Sequence, residues 1–194
     1  MAKVRRVGAQ ASKTRVAMLA CAEQLMLEEG YAAVSYRAVA ARAGVTAGLV
    51  QYYFPALDDL FIALVRRRSE QGLEMLAAGL AKGSPLRAVW GYASDWVGSA
   101  LISELTSLSN HRKKIRAELA EAGEQARAMA LEAITRAERD YRLPGTAAAP
   151  EVLVFLLTAA PRMIAMEGAV GIATSHAEVE AFVEAYLDEV EPRE

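Results

Sequence analysis

The sequence contains few of the residues that build disulfides and metal sites. Cys21 is the single cysteine among 194 residues, so the chain cannot hold an internal disulfide or a cysteine-based zinc site. The two histidines, His111 and His176, lie far apart in the sequence. We therefore expect no metal ion and no cofactor.

A long uninterrupted hydrophobic run is also missing. The basic N-terminus is not followed by the apolar stretch that a secretory signal requires. The most apolar segment, residues 152–172, contains Pro161, Arg162 and Glu167. Each charge near the centre of a bilayer costs about 2.5–3.5 kcal/mol, so burial of this segment against protein is favoured over a membrane span. We expect a cytoplasmic protein.

Patterns typical of strands and of catalytic sites are scarce as well. No segment alternates apolar and polar residues over more than a few positions, which predicts an all-α fold. The sequence has no phosphate-binding glycine loop and no nucleophile elbow. We expect no enzyme, although a catalytic site assembled from distant residues stays an open alternative.

The charge is divided unequally along the chain. Overall, 54% of the residues are hydrophobic, 24% are charged and the net charge is -2, as in a folded globular protein. Residues 1–68 hold ten Lys and Arg against five Asp and Glu, a balance of +5. Residues 69–194 hold twelve against nineteen, a balance of -7. This division predicts a basic N-terminal part that meets an anion and an acidic part with another role.

Helix start and stop signals are abundant and predict about nine helices in two domains, residues 1–54 and 55–194. A loose basic arm is expected over residues 1–11. The predicted helices span 13–29, 35–44, 46–54, 57–81, 85–108, 110–142 with a break near Gly123, 151–171 with a kink at Pro161, and 175–190. Residues 143–150 are expected to form a loop, and Ser175 with Glu178 predicts a capping box at the start of the last helix.

The two short helices at 35–44 and 46–54 carry the features of a helix-turn-helix. Ala40 is small enough for the helices to approach closely, and Gly44 can adopt a positive φ at the turn. The N-terminal ends at Ser35 and Thr46 offer free backbone N–H groups that suit phosphate oxygens. The second of these helices would enter the major groove of DNA.

Residues 15–64 resemble the N-terminal domain of TetR-family transcriptional regulators. The resemblance rests on Met18-Leu19, Cys21-Ala22, Leu25-Met26, Gly30, Arg37, Val39-Ala40, Ala43 to Thr46, Gly48, Tyr52 to Phe54 and Asp59-Leu60. It implies a homodimeric repressor that binds palindromic double-stranded DNA and is released by a small-molecule effector. The DNA-binding residues that it implies are Ser35, Tyr36, Arg37, Thr46, Ala47, Gly48, Gln51, Tyr52 and Tyr53.

Two positions depart from the family pattern. Gln51 stands where the family usually has Tyr, and Leu57 stands where it usually has Lys. Since Gln can pair with adenine through two hydrogen bonds, we expect an altered base preference rather than loss of binding. The change at Leu57 puts one phosphate contact in doubt, for which the basic residues Lys3, Arg5, Arg6 and Lys13 can compensate.

The acidic C-terminal part offers apolar faces for self-association. Residues 152–157 are apolar on every side, and the last helix carries an apolar stripe. The resemblance implies that two such helices from each subunit form a four-helix interface; the alternative is the internal core of a monomer. The candidate interface residues are Val152, Phe155, Leu156, Val179, Phe182, Val183 and Tyr186.

The same part contains aromatic, methionine and polar residues suited to a small-molecule site. The candidates are Trp90, Tyr92, Asp95, Trp96, Met129, Phe155, Met163 and Met166. The expected effector is largely apolar, with a cationic or hydrogen-bonding group. Solid core packing is the alternative for these residues. For the whole protein, the alternatives to a regulator are a helical protein–protein adaptor without DNA binding and an enzyme that uses the C-terminal cavity.

Overall fold

The computed structural model describes residues 2–137, 141–143 and 146–193; for residues 2–12, 96, 97, 99, 142, 143, 146 and 147 it describes the backbone alone. The described chain contains nine α-helices. They are α1 (Ala2–Glu29), α2 (Tyr36–Ala43), α3 (Ala47–Tyr53), α4 (Leu57–Leu80), α5 (Pro85–Ala93), α6 (Trp96–Ser109), α7 (Lys113–Arg136), α8 (Pro150–Ala169) and α9 (His176–Val190). A 3-10 helix at Tyr31–Ala33 follows α1.

A two-residue antiparallel pair is the strand structure of the described chain. Strand β1 (Arg142–Leu143) pairs with β2 (Thr146–Ala147), with Arg142 opposite Ala147 and Leu143 opposite Thr146. This pair lies in the segment predicted as a loop, of which Pro144 and Gly145 are outside the described residues. The predicted fold class, all-α, is therefore confirmed apart from this short hairpin.

The chain divides into two compact units. The first contains the chain through Arg68 together with Leu101–Leu119, and the second contains Ser69–Ala100 and Ala120–Glu194. The core of the first unit is built from α1 to α4 and from the returning segment of α6 and α7. Its largest fully buried side chains are Met18, Leu19, Met26, Phe54, Leu60, Phe61, Leu64, Leu101, Leu105 and Ile115.

The second unit has its own core, in which α5 packs on α8. Leu86, Val89 and Trp90 of α5 are buried together with Leu153, Val154 and Leu157 of α8. Helix α8 is long and apolar enough to cross a membrane by length and composition, with 28% of its apolar window buried. The burial of one face of α8 accounts for part of that hydrophobicity, while its opposite face stays exposed.

Four helix boundaries differ from the predictions. Helix α1 begins at Ala2, so the predicted loose arm is helical; residues 2–12 are mostly good helix formers, and the single Gly8 costs only about 1 kcal/mol. The predicted helix at 85–108 is interrupted between α5 and α6, where Ser94 and Asp95 compete for the backbone hydrogen bonds. Helix α7 passes Gly123 without a break and ends at Arg136 rather than at residue 142.

The predicted capping box at the last helix is wrong. Ser175 has φ 67° and ψ 5°, and its side chain makes no capping hydrogen bond. A capping box needs an extended backbone at the first position, so the left-handed conformation of Ser175 prevents it. Next to it, Nε2 of His176 lies 2.7 Å from Oε2 of Glu167, which joins the start of α9 to the end of α8.

Candidate nucleic-acid interface

The turn between α2 and α3 has the geometry that the sequence predicts. Gly44 adopts φ 65° and ψ 34°, and its N–H donates to the carbonyl oxygen of Ala40. The N–H of Val45 donates to the same oxygen at 3.0 Å. A residue with a Cβ would be strained at this left-handed position, which explains the glycine.

Both short helices begin at side-chain caps, as predicted. Oγ of Ser35 accepts from the N–H of Ala38 at 3.2 Å, and Oγ1 of Thr46 accepts from the N–H of Leu49 at 3.2 Å. Each cap satisfies one backbone donor of the first turn and leaves others directed outward. The two helix N-termini are therefore formed and available to an anion.

Helix α3 presents a polar face to solvent. Val50 is fully buried and fixes the rotation of the helix about its axis. As a result Gly48, Gln51 and Tyr52 are exposed, and the ring of Tyr52 is 79% exposed. Tyr53 packs against the core and meets the ring of Tyr52 edge to face, with centroids 5.5 Å apart.

The basic residues near this face have different surroundings. Arg37 at the start of α2 is exposed and makes no ion pair within the described part of the chain. Arg42 is paired with Glu28 at 2.6 Å, and the guanidinium of Arg15 lies 5.2 Å above the ring of Phe54. The predicted arm residues Lys3, Arg5 and Arg6 have side chains outside the described part. Arg37 is thus the described arginine of α2 that is free to meet a phosphate or a base.

Tyr36 is used inside the first unit. Its hydroxyl lies 2.9 Å from the carbonyl oxygen of Phe54 and 3.1 Å from that of Pro55, to which its single proton is donated. Burial, with a smaller effect of the Asp59 carboxylate, raises the pKa of Tyr36 above its ordinary value. This side chain ties the start of α2 to the end of α3, a contact that the sequence pattern did not reveal.

Leu57 and Asp59 explain the second departure from the family pattern. Leu57 packs partly buried against the core of the first unit, and Oδ2 of Asp59 accepts from the N–H of Ala56 at 2.9 Å. The start of α4 is therefore held by packing and by a carboxylate cap.

The returning segment 101–119 supports the same unit through polar contacts. Oε2 of Glu104 accepts from the N–H of Tyr31 at 2.8 Å, and Nε of Arg66 donates to Oε2 of Glu118 at 2.9 Å. The hydrogen bond from Arg66 lowers the pKa of Glu118 despite the opposing effect of burial. Pairing between such distant positions leaves no local signal, so sequence reasoning missed it.

Comparison with known proteins places this arrangement in a family. Residues 18–64 match the model of the bacterial regulatory proteins of the tetR family. The chain belongs to the TetR family. Over 64 residues it is 38% identical to the HTH-type transcriptional repressor BepR of Brucella suis biovar 1 (strain 1330). That match covers 33% of this chain and 31% of the relative, so it spans about a third of either protein.

Solved structures extend the likeness to most of the chain. A TetR transcription regulator from Haloarcula marismortui matches 92% of this chain and 98% of its own, with a TM-score of 0.72 and 16% identity. A protein from Saccharomonospora viridis, solved in complex with choline, matches 89% of this chain and 96% of its own, with a TM-score of 0.72 and 18% identity. At these identities the likeness establishes the TetR-family fold.

The second unit of this TetR-family chain contains a small cavity. It encloses about 280 Å³ of empty space, partly open to solvent, and α4, α5, α7 and α8 line it. Its lining residues are Leu76, Val89, Tyr92, Gly123, Ala126, Arg127, Ala130, Val154, Thr158 and Arg162. The volume is at the lower end of the roughly 300–1,000 Å³ of ligand pockets.

The structure brings one of the eight candidate ligand residues, Tyr92, to this cavity. Trp90 is buried instead, and its Nε1 donates to Oε1 of Glu184 at 3.0 Å. Met129 packs against the core, Asp95 is half-buried, and the side chain of Trp96 lies outside the described part. The remaining three, Phe155, Met163 and Met166, are more than half exposed on α8.

The candidate interface residues form exposed apolar faces on α8 and α9. Val152, Phe155 and Leu156 are 46%, 55% and 47% exposed, and Phe182 is 58% exposed. Val179 is also exposed and Val183 is half-buried, whereas Tyr186 is buried in the core of the unit. Burial of Tyr186 thus separates it from the other six candidates.

Proposed function

We propose that the protein is a sequence-specific repressor that binds a palindromic DNA operator as a homodimer and is released by a small-molecule effector. The observation that carries this proposal is the outward face of α3. Its capped N-terminus presents Gly48, Gln51 and Tyr52 to solvent while buried Val50 holds the helix in place. A second helix of a helix-turn-helix reads the major groove with such a face.

Each exposed group suits one component of DNA. Arg37 and Gln51 carry the side chains that pair with guanine and adenine through two hydrogen bonds. The first turns after Ser35 and Thr46 direct backbone N–H groups at phosphate oxygens, and Tyr52 reaches the sugar–phosphate backbone. Ala47 and Tyr53 complete the contact surface, and Tyr36 positions it.

The apolar faces of α8 and α9 support a homodimer. Monomeric soluble proteins rarely expose contiguous apolar patches larger than a few hundred Å². Val152, Phe155, Leu156, Val179 and Phe182 are all exposed in the isolated chain, so self-association would remove them from water. A two-fold dimer repeats the recognition helix with the symmetry of a palindrome.

Release by an effector requires two states of the dimer. A ligand shifts the equilibrium only by its difference in affinity for those states. The cavity of the second unit supports such binding, as does the choline complex of the Saccharomonospora viridis protein. Because the family is one of regulators, we propose that the chain acts in the cytoplasm and catalyses no reaction.

The test is selection of duplexes from a random library, followed by binding at several salt concentrations. We expect enrichment of a palindrome and a steep loss of affinity with salt, because Lys and Arg displace counterions from phosphates. Arg37→Ala and Gln51→Ala should each lose about 1–3 kcal/mol of discrimination. Lys82→Ala, in the exposed turn after α4, is the matched control and should bind like the wild type.

Other results would favour the alternatives. Absence of duplex binding, together with salt-insensitive affinity for a protein, would favour the adaptor. Turnover of a substrate without DNA binding would favour an enzyme. A reporter gene placed behind the selected operator separates repression, which lowers expression in the absence of effector, from activation, which raises it.

A further inference from the structure

The cavity of the second unit owes its space to small residues on α7. Gly123, Ala126 and Ala130 follow one another at helical spacing and all line it. A Cβ added at Gly123 would meet no atom within 4 Å. The opposite walls are apolar, with Leu76, Val89 and Val154 contributed by other helices. The interior therefore fits a hydrocarbon body.

The charged residues of the lining are all of one sign. Arg127 of α7 and Arg162 of α8 line the cavity, and no carboxylate does so among the ten lining residues. The hydroxyl of Thr158 is 2.8 Å from the carbonyl oxygen of Val154 and donates its proton there, so it offers little to an anion or a cation. The electrostatic character of the cavity is set by the two guanidinium groups.

These two arginines differ from the other arginines of the second unit whose side chains are described. Arg87 pairs with Asp188, Arg136 with Glu132 and Arg193 with Glu184. Within the described residues neither Arg127 nor Arg162 pairs with a carboxylate. The chain from residue 69 onward carries seven more acidic than basic residues, so carboxylates are plentiful there. Two cations without a partner at one apolar cavity are ready to receive an anion from outside the chain.

We infer that the effector is an amphiphilic anion, of the class of a fatty carboxylate, with its hydrocarbon part in the cavity and its carboxylate between Arg127 and Arg162. This deepens the proposed function, on which it rests, and it replaces the cationic group expected from the sequence. Arg127 also lies 5.9 Å above the ring of Phe155, one of the candidate interface residues. An anion that draws Arg127 away from Phe155 would act on the proposed dimer interface directly.

The test compares four probes by isothermal titration: octanoate and dodecanoate, which are anionic, octanol, which is neutral, and octylammonium, which is cationic. We expect the carboxylates to bind at least about tenfold more tightly than octanol, and octylammonium to bind most weakly. Arg127→Gln and Arg162→Gln should each remove about tenfold of the carboxylate affinity and leave octanol unchanged. Arg136→Gln, on the same helix and away from the cavity, is the matched control.

Gly123→Leu fills the cavity without changing its charge and should abolish binding of all probes. Leucine is also a better helix former than glycine, so loss of fold does not explain such a result if thermal melts match the wild type. Carboxylates that do not bind, octanol or octylammonium that binds as tightly, or arginine variants that bind octanoate normally would each overturn the inference.

The same experiment separates this inference from the proposed function. Titration of the probes needs no DNA, whereas anisotropy of a labelled operator measures DNA binding. Octanoate binding without operator binding would leave the anion site and remove the regulator. Operator binding without carboxylate binding would leave the regulator and remove the anion site.

Discussion

The hydroxyl of Tyr141 donates to Oε1 of Glu191 at 2.7 Å in the core of the second unit. Glu191 has no exposed surface, and its two carboxylate oxygens also accept from the N–H groups of Leu86 and Arg87 at 3.0 and 2.9 Å. It therefore caps α5 from a position about a hundred residues later in the chain. The positive end of the helix dipole compensates part of its buried charge.

Replacement of this carboxylate is expected to destabilise the second unit. Glu191→Gln substitutes an amide donor for one acceptor oxygen, which leaves a buried N–H group without a partner. We expect a loss of about 1–3 kcal/mol in the free energy of unfolding, measured by urea denaturation. Glu189→Gln, an exposed neighbour, should change it by less than about 0.5 kcal/mol. Equal stability of the two variants would contradict the capping role.

The buried hydroxyl of Tyr186 has no hydrogen-bond partner among the described residues. Burial, followed by the charges of Glu191 and Glu189, raises the pKa of Tyr186 above 10.0. Because the folded state holds this proton more tightly than the unfolded state, stability should be unaffected below about pH 10 and fall as the pH rises further. Tyr186→Phe should gain roughly 1 kcal/mol at neutral pH and unfold less steeply in alkali, as followed by circular dichroism. A destabilised variant would show that the hydroxyl has a partner.

Tyr36→Phe tests whether this residue positions the helices or contacts DNA. Loss of its hydrogen bond to Phe54 should lower the free energy of unfolding by about 0.5–1.5 kcal/mol. The selected operator sequence should stay the same, because the hydroxyl faces the protein. Tyr52→Phe is the matched control on the exposed face, where we expect unchanged stability and weaker DNA binding. An altered base preference in Tyr36→Phe would instead assign it a direct contact.

The elements that the sequence predicts well are those with local signals. Ser35, Gly44 and Thr46 act through hydrogen bonds to residues three to five positions away, so their helix boundaries are readable from spacing alone. The cap formed by Glu191 on α5 joins residues 105 positions apart and leaves no local pattern. The left-handed Ser175 is similarly set by surroundings that a capping motif does not include.

The cavity shows a different limit of sequence reasoning. The candidates were aromatic residues and methionines, which are large and therefore tend to fill space, as buried Trp90 does. The space itself comes from Gly123, Ala126 and Ala130, whose spacing is visible but whose effect depends on what the neighbouring helices contribute. The α8 candidates Met163 and Met166 are exposed because the opposite face of α8 packs on α5.

Two glycines of the helix-turn-helix should respond in opposite ways to alanine. Gly44→Ala places a Cβ at a left-handed position and should cost about 1–2 kcal/mol of stability. Gly48→Ala adds a Cβ within α3, where no atom lies within 4 Å, and should gain up to about 1 kcal/mol. Because that Cβ would project from the exposed face of α3, the affinity for the selected operator should fall. Stability is measured by thermal melts and affinity by fluorescence anisotropy; unchanged affinity in Gly48→Ala would move the DNA contact elsewhere.

Phe182→Glu tests the apolar face of α9 as a dimer interface. Phe182 is 58% exposed in the single chain, so a charge there costs little within the monomer, whereas in a dimer it would be buried without a partner. We expect the dimer dissociation constant, measured by analytical ultracentrifugation, to rise at least about thirtyfold, or ~2 kcal/mol. Met75→Glu introduces the same charge at an exposed apolar position of α4 outside the proposed interface and should leave the dimer intact. Since a palindrome engages both recognition helices at once, Phe182→Glu should also lose operator affinity while keeping the melting profile of a folded chain. A variant that stays dimeric would transfer the interface to another face.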